Sequence, residues 1–178
     1  MTCIVAVREV GVVYMGADSA GVAGYQLVAR KDKKVFTTGE FLIGFTSSFR
    51  MGQLLRHKLK VPEQEGGSVE DFMATVFIDA VRECFKQGGV LKNSSGVEEG
   101  GQFLVGYRGR IFNISSDFQV GENILPFDAC GCGTDVALGA LASTKGMNPT
   151  QRVRNALRVA EMFSAGVRAP FNIKTTQQ

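Results

Sequence analysis

The chain has 178 residues, 44% of them hydrophobic and 21% charged, which is the composition of an ordinary globular domain. The net charge of +3 is small, and the one basic cluster, Arg30 to Lys34, is interrupted by Asp32, so a nucleic-acid partner is not expected. No apolar run approaches the ~18 residues of a transmembrane helix, so no membrane partner is expected either.

The N-terminus lacks a charged segment followed by an apolar core, so we expect no signal peptide and a cytoplasmic protein with reduced thiols. Cys3 and Cys84 lie in apolar runs and are predicted to be buried. Cys130-Gly-Cys132 resembles half of a metal site. With one histidine and no second cysteine pair, the chain lacks the ligands of a structural zinc site, and no cofactor is required.

The first half of the chain predicts strands followed by helices. Short runs rich in β-favouring residues, separated by turn residues, predict strands at 3–8, 12–17, 34–36 and 41–45. The glycine-rich segment from Gly16 to Gly24 is predicted to be a loop. Apolar residues at helical spacing predict a helix over 47–59, and a capping box at Ser68 predicts a second helix that ends at 87–89.

The second half repeats this order. Strands are predicted at 103–107, 110–114, 118–120 and 170–173, and helices at 135–143 and 148–165. The polar segment 93–101 is predicted to be a surface loop, and 174–178 a frayed end. Two antiparallel sheets, each followed by a pair of helices, predict a single α+β domain over residues 1–178 with the helices outside stacked sheets.

Thr2 is the first residue with chemical interest. It is small and follows Met1, the condition under which an initiator methionine is normally removed. Thr2 would then carry a hydroxyl and a free α-amine, whose pKa of ~7.7–8.0 allows the amine to accept the hydroxyl proton at neutral pH. The alternative is that Thr2 merely follows Met1.

Asp18 and Lys34 extend this hypothesis. The first hairpin brings the end of its second strand back beside the chain start, so Asp18 is predicted to be a spatial neighbour of Thr2. Alternatively, Asp18 and Ser19 merely begin a turn, and Lys34 is a solvated charge at the edge of a strand. None of these residues is specific by itself.

Together, the stretches "TCIVAVREVGVVYMGADSAG", "KKVF" and "FLIGFTSS" resemble the start of proteasome β-type subunits, and especially the bacterial HslV-type peptidase. Thr2, Asp18-Ser19 and Lys34 fall at the family's spacings. The resemblance continues at "GCGTDVALGAL" and at "ALRVAEMFSAG". It implies an N-terminal-nucleophile (Ntn) hydrolase fold, a four-layer α-β-β-α sandwich of two antiparallel sheets with helices outside.

The resemblance also implies catalytic roles. The Thr2 hydroxyl would attack a peptide carbonyl, with its own α-amine as the base through a water. Lys34 would favour the deprotonated Thr2, Asp18 would hold Lys34, and Ser19 would help to orient this network. The oxyanion donor would be the backbone N–H of Ser48.

Two residues of the implied catalytic centre depart from the family pattern. Ser48 stands where the family usually has glycine, and Cys132 stands where it has the serine that supports the threonine amine. A thiol is a weaker hydrogen-bonding group than a hydroxyl. While Met1 is attached, the Thr2 nitrogen is not an amine and cannot act as the base.

Further residues are implied by position in the family alone. The substrate (P1) pocket would be lined by Gly21, Asp32, Thr46 and Arg50, where Asp32 and Arg50 could pair with each other or with substrate. A sodium ion would be bound by backbone carbonyls of Glu161, Ser164 and Val167.

The implied function is a threonine-type endopeptidase subunit of a homo-oligomeric double ring, hexameric or heptameric, that cleaves unfolded polypeptide delivered by an AAA+ ATPase. Two other functions stay open at this point: a ring-forming scaffold without catalysis, and a small-amide hydrolase of the same superfamily. A peptidase with Cys3 as its N-terminal nucleophile would require removal of Thr2 as well as Met1.

Overall fold

The structure, a computed structural model, describes residues 1–176. Its strands in chain order are β1 (Cys3–Glu9), β2 (Val12–Ala17), β3 (Ala20–Ala23), β4 (Gln26–Ala29), β5 (Val35–Thr38), β6 (Phe41–Phe45), β7 (Lys92–Ser94), β8 (Val97–Glu99), β9 (Phe103–Tyr107), β10 (Arg110–Ile114), β11 (Val120–Gly121), β12 (Phe127–Gly131) and β13 (Asn172–Thr175). Its α-helices are α1 (Phe49–His57), α2 (Val69–Phe72), α3 (Ile78–Gln87), α4 (Thr134–Ser143) and α5 (Pro149–Phe163), with a π-helical turn (Met73–Phe77) joining α2 to α3.

Two antiparallel sheets form the centre of the structure. One has the strand order β12-β1-β2-β13 and the other the order β11-β10-β9-β6-β5. Strand β1 is central to the first sheet and is buried on both faces, which explains its nearly continuous apolar sequence. Alternate residues of β1 serve different layers: Ile4 and Ala6 face the other sheet, and Val5 faces the helices.

Helices cover the outer face of each sheet. Helices α4 and α5 pack on the first sheet through apolar residues that include Ala137, Leu141 and Leu157. Helix α1 and the α2–α3 helix pack on the second sheet over an aromatic-rich core. The layers therefore run helix, sheet, sheet, helix, and the predicted α-β-β-α sandwich is confirmed.

Two hairpins occupy segments that the sequence predicts as loops. The β3–β4 hairpin begins in the glycine-rich segment, and the β7–β8 hairpin lies in the polar segment. All of β4 and all of β7 are exposed, so neither hairpin has the apolar alternation that identifies a half-buried strand. Both predictions of a loop are wrong for that reason.

Two strands of the first sheet also differ from the prediction. Strand β12 has no predicted counterpart, because its second half, Ala129 to Gly131, consists of small residues that give little strand signal. Strand β13 lies two residues later than predicted, so Lys174 and Thr175 pair with β2 instead of fraying. Gln177 and Gln178 lie outside the described residues.

None of the helices within residues 1–176 combines the length and the apolar character needed to cross a membrane.

The two sheets pack so closely at Gly44 that there is no room for a side chain. A β-carbon at Gly44 would lie 2.6 Å from the Ile4 Cγ2 atom and 2.7 Å from the Met15 Sδ atom. We therefore expect Gly44→Ala to lower the free energy of unfolding by about 1–3 kcal/mol through overpacking. Gly139, in α4, has no neighbour within 4 Å of its β-carbon position, so Gly139→Ala should raise that free energy by about 1 kcal/mol. Urea denaturation of both variants measures the difference, and equal effects would contradict the packing described.

Asp128 provides a prediction on pH. Its carboxylate is buried and accepts hydrogen bonds from Asn113 Nδ2 at 3.2 Å and from the Ala129 N–H at 2.7 Å. Burial raises the pKa of Asp128 above its ordinary value of 3.8. The folded chain therefore binds this proton more tightly than the unfolded chain, and stability is lost as the pH rises from 3.8 through the raised pKa.

The Asp128→Asn variant keeps the shape of the side chain without the ionisation. Its free energy of unfolding, relative to wild type, should increase as the pH rises through that window and then level off. Urea denaturation at a series of pH values measures this difference. A difference that is independent of pH would contradict the burial cost assigned to Asp128.

Candidate active site

Thr2 lies immediately before β1 and is only 4% exposed. Its carbonyl oxygen accepts a hydrogen bond of 2.8 Å from the Cys132 N–H, across the pairing of β1 with β12. Gly131 makes this approach feasible, because it has φ of +102° and any β-carbon there would lie 2.1 Å from the Thr2 oxygen. The end of β12 therefore fixes Thr2 in place, and the close approach of the two backbones requires a glycine at position 131.

Lys34 and Asp18 form a buried ion pair beside Thr2. The Lys34 Nζ atom lies 2.8 Å from Thr2 Oγ1 and 3.0 and 3.1 Å from the two Asp18 oxygens. Each of the two charged residues is only 1% exposed. The alternative in which Lys34 is a solvated edge charge is therefore wrong, and the predicted proximity of Thr2, Asp18 and Lys34 is present in the fold.

The strand register brings Asp18 to this position. Asp18 directly follows β2, whose last residue, Ala17, pairs with Ile4 near the start of β1. Its carboxylate accepts backbone hydrogen bonds from the N–H groups of Cys3 at 3.0 Å, Ala20 at 2.7 Å and Arg168 at 3.3 Å. These donors satisfy a buried carboxylate and fix its orientation toward Lys34.

The same burial acts on the lysine. Burial lowers the pKa of Lys34 below its ordinary value of 10.5, and the Asp18 carboxylate opposes this shift by favouring the ammonium form. Because the Lys34 ammonium also donates to Thr2 Oγ1, it stabilises negative charge that develops on that oxygen. The arrangement can therefore activate the Thr2 hydroxyl as a nucleophile.

The nitrogen of Thr2 contacts a sulfur atom. The Thr2 N–H donates to Cys132 Sγ at 3.3 Å, and the Thr2 hydroxyl contacts the carbonyl oxygen of Met1. With Met1 attached, this nitrogen belongs to a peptide bond. Removal of Met1 would turn it into an amine on the same carbon framework as the hydroxyl.

Ser19 and Ser48 make other contacts. The Ser19 N–H donates to the Arg168 carbonyl oxygen at 2.7 Å and its hydroxyl donates to the Pro170 carbonyl oxygen, so Ser19 ties the end of β2 to the segment before β13. The Ser48 hydroxyl caps α1, and its N–H donates to the Thr46 carbonyl oxygen at 2.8 Å. The expected oxyanion donor is thus engaged by a neighbouring carbonyl.

Of the four residues predicted to line the substrate pocket, Gly21 and Asp32 both contact Arg30, whereas Arg50 lies in a groove elsewhere. Gly21 packs against the Arg30 side chain, and Asp32 forms a two-point ion pair with Arg30 at 2.7 and 2.8 Å. Thr46 is buried at the end of β6. Arg50 instead lines a groove between α1 and α3, and the ion pair of Asp32 is made with Arg30.

The three residues of the predicted sodium site lie together at the end of α5. The Glu161 carboxylate accepts from the Ala169 N–H at 2.9 Å, and the Ser164 carbonyl oxygen accepts from the Val167 N–H at 3.1 Å. Within residues 1–176, no three histidine, cysteine, aspartate or glutamate side chains form a group that could hold a metal ion. A sodium site built from carbonyl oxygens stays a prediction.

Three residues near Thr2 were not found from the sequence. Arg168 supports Asp18 through its backbone N–H, which leaves no trace in the side-chain pattern. The centre of the Phe49 ring lies 3.9 Å from the Arg30 guanidinium carbon and 5.7 Å from Lys34 Nζ, so Phe49 and Arg30 border the site. An aromatic residue in the first turn of the predicted helix was the one available signal.

Removal of the Lys34 charge should destabilise the fold. Lys34→Met leaves the Asp18 carboxylate buried without a cation, so we expect a loss of about 3–5 kcal/mol in the free energy of unfolding. The exposed neighbour Lys33 is the matched control, since Lys33→Met should change that free energy by less than about 0.5 kcal/mol. Urea denaturation compares the two variants, and a small effect of Lys34→Met would contradict a stabilising role for the pair.

Neither the protein-family models nor the curated protein sequences give a match to this chain. Among solved structures, it is similar to BPH of Thiobacillus denitrificans in complex with epoxomicin, with 19% identity, a TM-score of 0.80, and coverage of 98% of this chain and 97% of that one. It is also similar to HslV of Trypanosoma brucei, with 16% identity, a TM-score of 0.71 and coverage of 98% of both chains.

A third similar structure is the Anbu (Gly-1) mutant of Hyphomicrobium sp. strain MC1, with 18% identity, a TM-score of 0.68, and coverage of 99% of this chain and 83% of that one. At these identities the similarity identifies the fold. The predicted resemblance is confirmed at that level: the chain has the fold of the HslV-type and proteasome-like Ntn hydrolases.

Proposed function

We propose that this protein is a threonine-type endopeptidase whose nucleophile is Thr2 after removal of Met1. The observation that carries the proposal is the buried Lys34–Asp18 pair, with Lys34 Nζ at 2.8 Å from Thr2 Oγ1. A buried ion pair costs desolvation energy, so its position against a hydroxyl calls for a functional reason.

The reaction begins with the Thr2 hydroxyl. Its oxygen attacks the carbonyl carbon of a substrate peptide bond, while the α-amine of Thr2 accepts the hydroxyl proton through a water. The leaving amine takes a proton as the C–N bond breaks, and water then hydrolyses the ester. Lys34 lowers the energy of the attacking oxygen, and Asp18 keeps Lys34 in position.

The Cys3 alternative is chemically weaker. Cys3 is fully buried, and burial together with the nearby Asp18 carboxylate raises the pKa of its thiol to about 12. The thiolate that a cysteine nucleophile requires is therefore scarce at neutral pH. We assign the nucleophile to Thr2.

The assembly and partners belong to the same proposal. We place the chain in a homo-oligomeric double ring, hexameric or heptameric, whose chamber admits unfolded polypeptide from an AAA+ ATPase. A cytoplasmic location fits the four free thiols, since reducing compartments keep cysteines unpaired. A sodium ion at Glu161, Ser164 and Val167 would brace the end of α5 without entering the reaction.

A catalytically inactive, ring-forming scaffold is the second candidate. It is favoured by the Ser48 N–H, which donates to Thr46 and not toward a substrate oxygen. An oxyanion donor contributes roughly 3–4 kcal/mol to transition-state binding, so its loss would leave little activity. For a peptidase, the loop at Ser48 has to release this N–H when substrate binds.

Thr2 variants distinguish the two candidates. We expect purified wild type to have an intact mass lower by one methionine residue, to hydrolyse fluorogenic peptides, and to be labelled at Thr2 by epoxomicin, the ligand of the BPH complex. Thr2→Ala should lose hydrolysis and labelling because the nucleophilic oxygen is gone, while its fold remains.

The conservative variant Thr2→Ser is the matched control, because it keeps a hydroxyl and an amine on one residue and should retain hydrolysis. Wild type that retains Met1, takes no label and hydrolyses no peptide would establish the scaffold instead. Hydrolysis that survives in Thr2→Ala would contradict the assigned nucleophile.

A further inference from the structure

The segment 46–48 joins β6 to α1 and carries the expected oxyanion donor as part of a tight turn. The Ser48 N–H donates to the Thr46 carbonyl oxygen at 2.8 Å, and Ser47 between them has φ of +66°. A hydrogen bond between residues two apart, around a positive φ, is the geometry of the rare and strained form of γ-turn. Serine adopts this φ at a cost that glycine avoids. Other contacts therefore have to hold the turn.

The neighbouring strand pairing shows how the turn is held. The pairing of β6 with β9 continues one residue beyond the strands, to Thr46 and Gln102. The Thr46 N–H donates to the Gln102 carbonyl oxygen at 3.1 Å, so these two residues occupy a hydrogen-bonded position of the ladder. Two residues at such a position of an antiparallel ladder normally exchange both of their N–H···O bonds. The regular partner of the Gln102 N–H is thus the Thr46 carbonyl oxygen.

The Ser47 side chain replaces that regular partner. The Gln102 N–H donates to Ser47 Oγ at 3.1 Å, and the Thr46 carbonyl oxygen accepts from Ser48. The Ser47 side chain lies against Gly101, where a β-carbon would be only 2.9 Å from Ser47 Cβ. Ser47 Oγ therefore takes the Gln102 N–H away from Thr46, which leaves the Thr46 oxygen to the Ser48 N–H.

A second arrangement satisfies the same groups. When the Gln102 N–H donates to the Thr46 carbonyl oxygen, the ladder position is complete and the Ser48 N–H is released. Ser47 is exposed, so water can bind its hydroxyl. The released N–H has an acceptor in the carbonyl oxygen of a bound substrate, and this bond strengthens as the oxygen becomes negative in the transition state. Substrate therefore offsets the bond that the Ser48 N–H gives up.

The turn lies close to the reacting group. Phe49 directly follows it, and the centre of the Phe49 ring is 5.7 Å from Lys34 Nζ, which lies 2.8 Å from Thr2 Oγ1. The hydrogen bonds beside the turn are made with Gln102, so removal of Met1 leaves their donors and acceptors in place. The same two arrangements are therefore open to the mature protein.

We propose that Ser47 is a positioning residue that holds the turn closed, and that substrate opens it by moving the Gln102 N–H from Ser47 Oγ to the Thr46 carbonyl oxygen. The proposal rests on the proposed function, because the released Ser48 N–H serves the peptidase reaction. Ser47 itself forms no bond to the substrate. Its hydroxyl sets the fraction of molecules in which the oxyanion donor is available.

The variant Ser47→Ala tests this role in the mature protein. Alanine keeps the β-carbon, so the backbone restriction at position 47 is unchanged, but the closed turn loses its acceptor for the Gln102 N–H. The closed arrangement is weakened by about one hydrogen bond and the open one is not. We expect kcat for a fluorogenic peptide to rise about threefold to tenfold at an unchanged KM, since the donor acts in the transition state.

Ser68→Ala is the matched control. The Ser68 hydroxyl also accepts from a backbone N–H, that of Asp71 at 3.0 Å, but at the start of α2. Loss of this helix cap lowers stability, and kcat should keep its wild-type value. A fall in kcat for Ser47→Ala, or the same change in both variants, would overturn the inference.

Amide hydrogen exchange of the same proteins gives a readout that does not require hydrolysis. Mass spectrometry with fragmentation to single residues follows the N–H groups of Ser48 and Gln102. In Ser47→Ala, the Ser48 N–H should exchange about threefold to tenfold faster, while the Gln102 N–H stays protected because it donates to Thr46. Faster exchange of both groups would mean that the turn has only loosened, and unchanged exchange of Ser48 would mean that Ser47 does not hold it. Either result contradicts the proposal.

The two proposals fail separately. Wild type that hydrolyses no peptide counts against the peptidase function, and the exchange of Ser48 and Gln102 still decides whether Ser47 holds the turn. Wild type that hydrolyses peptides, with unchanged kcat and unchanged Ser48 exchange in Ser47→Ala, counts only against the role of Ser47.

Discussion

The placement of one lysine ammonium in the interior constrains the rest of the site. Lys34 is almost fully buried, and the fold compensates its desolvation with the Asp18 carboxylate, which is itself held by three backbone N–H groups. Those N–H groups come from β1, β3 and the segment before β13. The first sheet must therefore be complete at this edge before the pair is satisfied, and the Thr2 hydroxyl is the remaining partner of the ammonium.

The fold could be predicted largely from sequence because most of its central strands are short apolar runs bounded by turn residues. Strand β1 and the hairpin to β2 follow from two β-rich apolar runs and a turn near Gly11, and this hairpin already brings Asp18 to the chain start. The exposed hairpins and β12 were missed because exposed or small residues give no such pattern. Their existence depends on pairing partners that the local sequence does not specify.

The contacts of the candidate site were likewise predictable only in part. Side chains whose type and spacing carry chemistry, Thr2, Asp18 and Lys34, could be predicted, and so could the contact of Cys132 with Thr2 through the resemblance. Contacts made by backbone groups could not, since the N–H of Arg168 and the use of the Ser48 N–H by Thr46 depend on tertiary geometry and not on residue type. The partner of Asp32 was likewise missed: Arg50 was one expected partner, and the segment after β4 brings Arg30 to Asp32 instead.

The hydrogen bond from the Arg168 N–H to Asp18 joins residues 150 positions apart. During synthesis, the first strands leave the ribosome long before the segment that contains Arg168. The surroundings of Thr2 therefore stay incomplete while the chain is growing, because both the Arg168 contact of the Asp18 carboxylate and the Cys132 contact of Thr2 await later segments. Thr2, near the start of the sequence, thus reaches its final environment only after segments from the far half of the sequence have been made and packed.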